Sequence, residues 1–407
     1  MTVPSVNIGV VGHVDHGKTT LVNALTGTWT DRHSEEVKRG ISIRLGYADA
    51  TFYRCEKCEG NDAFSTSPDC ACGDKGTPFR SISFVDAPGH ETLMATMLSG
   101  SALMDGAMLV IASSEKCPQP QTKEHLMALE LVGIKNIVIV QSKIDVVSQK
   151  EAIDNYHEIK NFIKGTIAEN APIVPVSAQK GINIGALVQA LDVAIPEPVR
   201  DPDAEPVMLI ARSFDVNKPG CNWKDVKGGV VGGSLIRGIL REGDDIEIRP
   251  GRQTQIENRI KWIPITTKVT SINAGSHKVT EATPGGLLGV GTRLDPALTK
   301  SDALAGQVLG HEGKLPPVWD KIRCRVTLME RVVGATSELV IEPLKHSEPL
   351  MLSVGTAVTV GVVSNTKKDT VEIQLKRPVC AELGSRIAIS RQVGARWRLI
   401  GMGVLSE

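Results

Sequence analysis

The stretch Val6-Asn7-Ile8-Gly9-Val10-Val11-Gly12-His13-Val14-Asp15-His16-Gly17-Lys18-Thr19 runs from an apolar strand into Thr20-Leu21-Val22-Asn23-Ala24-Leu25, which reads as the opening of a helix. It fits Gly-x-x-x-x-Gly-Lys-Thr, a loop that wraps phosphate groups. Glycines let the backbone curl so that its N–H groups, here from Asp15, His16 and Gly17 onward to Thr20, face phosphate oxygens. The helix that follows adds its positive end. Lys18 would reach the β- and γ-phosphates, and the Thr19 hydroxyl would hold Mg²⁺.

Outward from this loop, apolar strand candidates alternate with helical stretches: Ser81–Asp86, Gly106–Ala112, Ile137–Gln141 and Ile173–Val176 against Gln121–Val132 and Glu151–Thr166. That alternation implies an α/β fold, a mainly parallel, doubly wound sheet. Ligands of such sheets bind beyond the carboxyl ends of the strands, so the turns at Gly12, Asp86, Lys143 and Ser177 converge on one crevice. Pro196-Glu197-Pro198-Val199-Arg200-Asp201-Pro202 then reads as a semi-rigid linker. Beyond it come short, glycine-punctuated β runs, Val207–Phe214, Gly228–Ile236, Asp245–Ile248 and Gly286–Gly291. After a second break at Lys314-Leu315-Pro316-Pro317 come Lys321–Glu330, Thr356–Val363, Thr370–Leu375, Arg386–Ser390 and Arg398–Leu405. We expect a nucleotide domain over 1–200 with an insert at about 55–74, then all-β barrels over 206–314 and 319–407.

A length of 407 residues fits two or three domains, and 41% hydrophobic with 23% charged residues fits a globular protein. No window approaches 18 uninterrupted apolar residues, and Met1-Thr2-Val3-Pro4-Ser5 is no signal peptide, so a cytoplasmic location with no membrane partner is expected. The net charge is zero but unevenly shared. Residues 1–205 hold 18 basic against 26 acidic side chains, and residues 206–407 hold 28 against 20. A basic rear half suits a nucleic-acid partner, and uneven solvation charge explains it equally well.

Asp86-Ala87-Pro88-Gly89 closes the strand Ser83-Phe84-Val85. An aspartate there can hold a water on the metal, and the Gly89 N–H can bond the γ-phosphate, a bond lost on hydrolysis. In Arg39-Gly40-Ile41-Ser42-Ile43, the Ser42 hydroxyl could complete the Mg²⁺ shell. In Gln141-Ser142-Lys143-Ile144-Asp145, the Asp145 carboxylate can accept from N1 and N2 of guanine, a donor pair adenine lacks. Lys143 would lie across the base, and a backbone N–H of Ser177-Ala178-Gln179 would meet the guanine oxygen. The expected ligands are therefore GTP and GDP with Mg²⁺. Asp15 faces a polyanion, which a second cation held also by the Gly40 carbonyl would relieve; an Asp turned to solvent is the other reading.

Cys55-x-x-Cys58 and Cys70-x-Cys72 offer four thiolates at a spacing fit for tetrahedral Zn²⁺, with bare thiols or a redox role as the other readings. The scattered Cys117, Cys221, Cys324 and Cys380 read as small buried hydrophobes. Near the C-terminus Arg386, Arg391, Arg396, Trp397 and Arg398 form a basic and aromatic tail that could pair phosphates and stack on a nucleotide, or be a strand with a solvent face.

With these residues on the page, the chain resembles the translational GTPases, and within them the gamma subunits of translation initiation factor two. Gly12–Thr20, Trp29–Glu36, Arg39–Ile43, Asp86–Glu91, Arg212–Gly220 and Ile389–Gly401 carry the resemblance, which spans the whole chain. It implies three domains like those of elongation factor Tu, GTP hydrolysis, a zinc knuckle at the cysteines, and alpha and beta partner subunits. It also implies delivery of methionylated initiator tRNA to the small ribosomal subunit. By the same resemblance His90 positions the attacking water, Val14 and Ile41 form an apolar gate before it, and Tyr47 contacts the aminoacyl end. A selenocysteine-type elongation factor and the GTP-regulated subunit of a sulfate-activating enzyme are the alternatives. The chain departs from the pattern at three places. Ser142 replaces the usual Asn that ties the guanine loop to the phosphate loop, so a looser site is expected. Ser42 replaces Thr, and Cys-x-Cys replaces Cys-x-x-Cys.

Overall fold

The computed structural model describes residues 4–30, 45–70, 72–88, 94–218, 220–257, 259–275, 277–329, 340–367, 369–394 and 396–407. The chain divides into two compact units at Pro198/Val199.

The first unit is built on β1 (Val6–Gly12), β2 (Gly46–Arg54), β3 (Phe64–Ser65), β4 (Thr77–Asp86), β5 (Gly106–Ala112), β6 (Ile137–Ser142) and β7 (Ile173–Pro175). They lie in the order β3-β2-β4-β1-β5-β6-β7. β4, β1, β5, β6 and β7 run parallel, while β2 and β3 form an antiparallel edge. β1, β5 and β6 are buried along their whole length, as strands covered on both faces must be. β1 sits at the centre: the chain next builds β2, β3 and β4 on one side of it, then returns to β5 on the other. The phosphate loop therefore leaves the sheet where the winding reverses, the position that opens a crevice.

Leu21, Val22 and Leu25 of the helix Lys18–Thr26 pack on Phe52, Ile82 and Phe84, together with Leu187, Val188 and Leu191 of the helix Ile184–Ala194. Burial of each such side chain stabilises the unit by about 1.5–3 kcal/mol. Helix ends are closed by local chemistry. Gly27 (φ 69°) and Gly133 (φ 94°) take the left-handed cap position. Ser148 and Glu151 form a reciprocal capping box at the helix Gln149–Ile163. The buried Arg80 guanidinium caps the last turn of Ile184–Ala194, donating to the carbonyls of Leu191 (3.3 Å), Asp192 (3.3 Å) and Ile195.

The second unit holds two closed β structures. β8 (Val207–Phe214), β9 (Val230–Arg237), β11 (Asp245–Ile256), β12 (Arg259–Ala274), β15 (Leu288–Thr292) and β16 (Val308–His311) form a ring, β11-β16-β8-β9-β15-β12, which pairing of β11 with β12 closes. The short β13 (His277–Val279) folds back antiparallel on the end of β12, and β10 (Leu240–Arg241) pairs with β14 (Glu281–Ala282). β11 bends at Gly251 (φ 94°), where a Cβ would lie 1.9 Å from the Ile263 carbonyl oxygen. Only glycine fits that corner. β17 (Val318–Leu328), β18 (Pro349–Val354), β19 (Ala357–Lys367), β20 (Thr370–Cys380), β21 (Arg386–Val393) and β22 (Arg396–Ser406) form the second barrel, filled by Ile322, Leu352, Ile373, Ile389 and Ile400. Within this unit the barrels meet through Val207, Val308, Leu315 and Cys380 and through the Arg237–Glu382 ion pair.

Of the scattered cysteines, Cys324 and Cys380 are buried as expected, Cys117 is half-buried, and Cys221 is exposed, contrary to the expectation. Among the described residues no helix is long and apolar enough to cross a membrane.

Candidate functional site

The phosphate loop is shaped by three left-handed residues. A Cβ on Gly12 (φ 143°) would fall 2.3 Å from the Val110 carbonyl oxygen, so β1 can turn here only with glycine. Asp15 (φ 59°) and Gly17 (φ 84°) complete the curl, and Asp15 is exposed. No side chain caps the helix at Gly17, which leaves its first N–H groups to a ligand. The Lys18 ammonium donates to the His13 carbonyl across the loop at 2.6 Å. Val14 and Thr20 are half-buried.

A neighbouring helix, Pro120–Val132, grips the loop from behind. The Gly12 N–H donates to Nδ1 of His125 at 2.9 Å, and the Val14 N–H to Oε1 of Gln121 at 3.2 Å. Gln121 and His125 stand four apart, hence on one helix face. Burial pushes His125 down to about 3, so the imidazole is neutral and, with Nδ1 accepting, carries its proton on Nε2. Burial also lowers His16, whose ring packs between the Val110 carbonyl oxygen (3.1 Å) and the Glu115 carboxylate (3.5 Å). The His16 ring is thus scaffold, and its main chain is what the loop uses.

Asp86 ends β4 with Val10 of β1 on one side and Gly46 of β2 on the other. Its buried Oδ2 accepts from the hydroxyls of Thr19 (2.9 Å) and Thr30 (2.6 Å). Hydroxyl and carboxylate oxygens in this grouping are the hard donors that suit Mg²⁺. Thr30 lies in the Trp29–Glu36 stretch that carries the resemblance, which assigns it no role at this site.

The guanine loop is tied down on three sides. Lys143 takes the left-handed conformation (φ 59°), and its carbonyl accepts from Ser113 Oγ at 2.9 Å. The aliphatic end of Lys143 comes within 4.0 Å of where a Cβ would stand on Gly17, so its stem crosses the phosphate loop. Ser142 Oγ donates to the His16 carbonyl at 2.7 Å. The looser site expected from serine at this position is therefore not found, because the hydroxyl makes the tie. Asp145 is exposed in the turn Ile144–Val146, open to a base. The Ile144 N–H reaches the Val176 carbonyl (3.5 Å), drawing in the turn of buried Ser177, half-buried Ala178 and exposed Gln179. Gly40, Ile41, Ser42, Gly89 and His90 lie outside the described residues.

Three sulfurs, of Cys55, Cys58 and Cys72, lie within 4.8 Å of one another, and Cys55 Sγ is 3.5 Å from Cys72 Sγ. A tetrahedral site with Zn–S bonds near 2.3 Å asks for sulfur separations of about 3.8 Å, so the three fit. Cys70 bonds Cys55 but stands outside the trio, so the expected four-fold set is three plus a neighbour. Hydrogen bonding from Cys70 draws Cys55 down to about 6, while Cys58, facing Cys72, rises to about 11 and Cys70 to about 12. Metal binding would take these sulfurs as thiolates and release whatever protons they still carry.

Tyr47 follows Gly46 on β2 and pairs with Val85, one residue from Asp86. In the β21–β22 hairpin Arg396 is exposed and Arg398 half-exposed on one strand face, while alternation sends Trp397 to the other. Arg391 is not part of a phosphate-pairing tail: it is engaged by the Glu348 carboxylate and donates to the Glu342 carbonyl at 2.9 Å.

The chain matches the elongation factor Tu GTP binding domain over residues 3–197, elongation factor Tu domain 2 over 228–310, and the C-terminal region of initiation factor eIF2 gamma over 320–405. It is 60% identical to the translation initiation factor 2 subunit gamma of Methanosarcina mazei, covering 99% of this chain and 94% of that protein. The same subunit of Methanococcus vannielii is 60% identical over 98% of both chains, and that of Archaeoglobus fulgidus 60% over 99% of this chain and 94% of its own. Among solved structures, a bacterial selenocysteine-specific elongation factor superposes with a TM-score of 0.75 at 23% identity, covering 99% of this chain and 58% of that one. The elongation factor SelB from Methanococcus maripaludis, with a GTP analogue, gives 0.72 at 23% identity, covering 100% and 80%. At that identity the likeness concerns the fold.

Proposed function

Because the chain belongs to the translation initiation factor 2 gamma-subunit family of translational GTPases, we propose that it carries methionylated initiator tRNA to the small ribosomal subunit while GTP is bound. Its partners in this reading are alpha and beta subunits, and its place is the cytoplasm. Membership makes it a GTP-binding initiation factor and a GTPase, and relatives at 60% identity favour this over the elongation-factor and sulfate-activation alternatives. The domain parse 1–200, 206–314 and 319–407 is part of the same reading.

The observation that carries the proposal is the meeting of the phosphate loop, the Asp86 turn and the guanine loop through Thr19–Asp86 and Ser142–His16. On nucleotide binding, Lys18 exchanges the His13 carbonyl for the β- and γ-phosphates, and the N–H groups from Asp15 to Thr20 close round them. Thr19, Ser42 and a water on Asp86 would hold Mg²⁺, which supplies neutralisation of phosphate charge. A second cation would sit at Asp15 and Gly40. Asp145 reads the guanine donor edge, Lys143 covers the base, and Ser177-Ala178-Gln179 supplies a backbone donor. Adenine leaves the Asp145 carboxylate without that pair of donors, a penalty of about 1–3 kcal/mol or more. Gly89 senses the γ-phosphate, and His90 orients the attacking water behind Val14 and Ile41. Cys55, Cys58 and Cys72, with Cys70 as fourth ligand, hold a structural zinc. Tyr47, Arg396, Trp397 and Arg398 contact the tRNA, the arginines through phosphates.

Filter binding of initiator tRNA to the purified chain, with its sister subunits added, tests this. GTP should strengthen retention over GDP, the methionylated form should bind more tightly than the uncharged one, and log affinity should fall with log salt. Equal affinity for charged and uncharged tRNA in both nucleotide states would refute the proposal.

A further inference from the structure

Thr30 is a buried hydroxyl with one evident use. Its Oγ1 donates to Asp86 Oδ2 at 2.6 Å, the same oxygen that accepts from Thr19 at 2.9 Å. The approach is built rather than incidental. The helix Lys18–Thr26 stops at Gly27, whose N–H bonds the Asn23 carbonyl, and Thr26 Oγ1 accepts from the Thr28 N–H at 3.1 Å, which fixes the turn. Two residues on, Thr30 lies against Gly46, where a Cβ would stand 2.5 Å from the Thr30 Cβ. Gly46 is the β2 partner of Asp86 in register. A side chain at 46 would thus expel Thr30 from the carboxylate.

A metal-bound water needs a carboxylate held in one rotamer, and a carboxylate that accepts a fixed hydroxyl bond is so held. When the Thr19 oxygen turns to a cation, the Thr30 bond still holds Asp86. We propose that Thr30 is a positioning residue for the magnesium site, orienting Asp86. This rests on the reading of Thr19 and Asp86 as magnesium-binding groups.

The test is release of a fluorescent GDP from the full chain over a series of free Mg²⁺ concentrations and in EDTA. Thr30→Val keeps the volume and loses the donor; Thr30→Ser keeps the donor. Thr30→Val should raise the Mg²⁺ concentration that half-slows release by about tenfold, the usual loss on removing such a supporting group. Release in EDTA should stay unchanged, and Thr30→Ser should match the parent. If Thr30→Val cannot be obtained folded, Thr30→Ala read against Thr30→Ser gives the same comparison. A Thr30→Val midpoint equal to the parent's, or an equal acceleration in EDTA, overturns the inference. Thr19→Ala separates the two levels: if it shifts the midpoint while Thr30→Val does not, the inference fails and the magnesium reading stands. If neither shifts it, both fail.

Discussion

The Ser142 hydroxyl donates to the His16 carbonyl oxygen at 2.7 Å, joining the end of β6 to the phosphate loop across 126 residues of sequence. An amide is the usual device at this position. A hydroxyl suffices because the β6 end lies close enough that the shorter side chain reaches, and because Ser113 holds the next residue through the Lys143 carbonyl.

Removing that hydroxyl should therefore matter. Ser142→Ala is expected to weaken GDP by about fivefold to tenfold, the value of one hydrogen bond at a buried carbonyl. Ser142→Asn should stay within about twofold of the parent, since an amide can make the same bond. Calorimetric titration with GDP decides it, and an alanine variant that binds as well as the parent would show the tie to be idle.

Folded, His125 stays neutral down to about pH 3, whereas unfolded it takes a proton near its ordinary value of 6.5. Its folded pKa is the lower, so the unfolded chain binds more protons between those limits. This contribution is intact above about 6.5 and drains away as pH falls toward 3. At about pH 5 the loss is about 2 kcal/mol. His125→Asn keeps an acceptor for the Gly12 N–H but does not titrate, so urea unfolding at about pH 7.5 and about pH 5 should show a smaller acid loss than the parent.

Arg80→Met should cost about 2–4 kcal/mol, because the carbonyls of Leu191, Asp192 and Ile195 lose their donor in a buried place. Urea unfolding measures it. An unchanged midpoint would mean that water serves those carbonyls equally well.

Zinc released by a thiol reagent should be about one equivalent per chain, and Cys55→Ser or Cys72→Ser should abolish it. Cys70→Ser is the informative variant. Its sulfur bonds Cys55 but lies outside the close trio, so its loss should lower affinity by a smaller factor than Cys55→Ser does. Equal losses would mean that Cys70 moves in as a full ligand.

Local patterns told much of this in advance. Val6–Gly12, Gly106–Ala112 and Ile137–Ser142 are unbroken apolar runs, and such runs in a doubly wound sheet have one register to take. The turns that follow them had to meet. What stayed hidden depends on distant neighbours. His125 and Gln121 look like ordinary helix residues until the fold sets them against Gly12 and Val14, more than a hundred residues away in sequence. Thr30 falls in a polar stretch with no periodicity. β12 is hard to read from the sequence because Pro264 and Thr266-Thr267-Lys268 interrupt its apolar alternation, opposite the bend of β11 at Gly251. Tyr47 and Arg391 were legible as residues but not as roles, since exposure and partners are set by tertiary pairing.

The seven-stranded sheet ends in its two shortest strands, two residues at β3 and three at β7, while both structures of the second unit close into rings. Among the described residues, then, the outermost strands offer a foreign strand only two or three residues of ladder, and the longer open stretch lies on β2, where β3 covers only Tyr53 and Arg54. Away from that stretch, anything that binds these sheets meets side-chain relief and charge, and substitutions on those faces can retune an encounter without disturbing the ladders beneath.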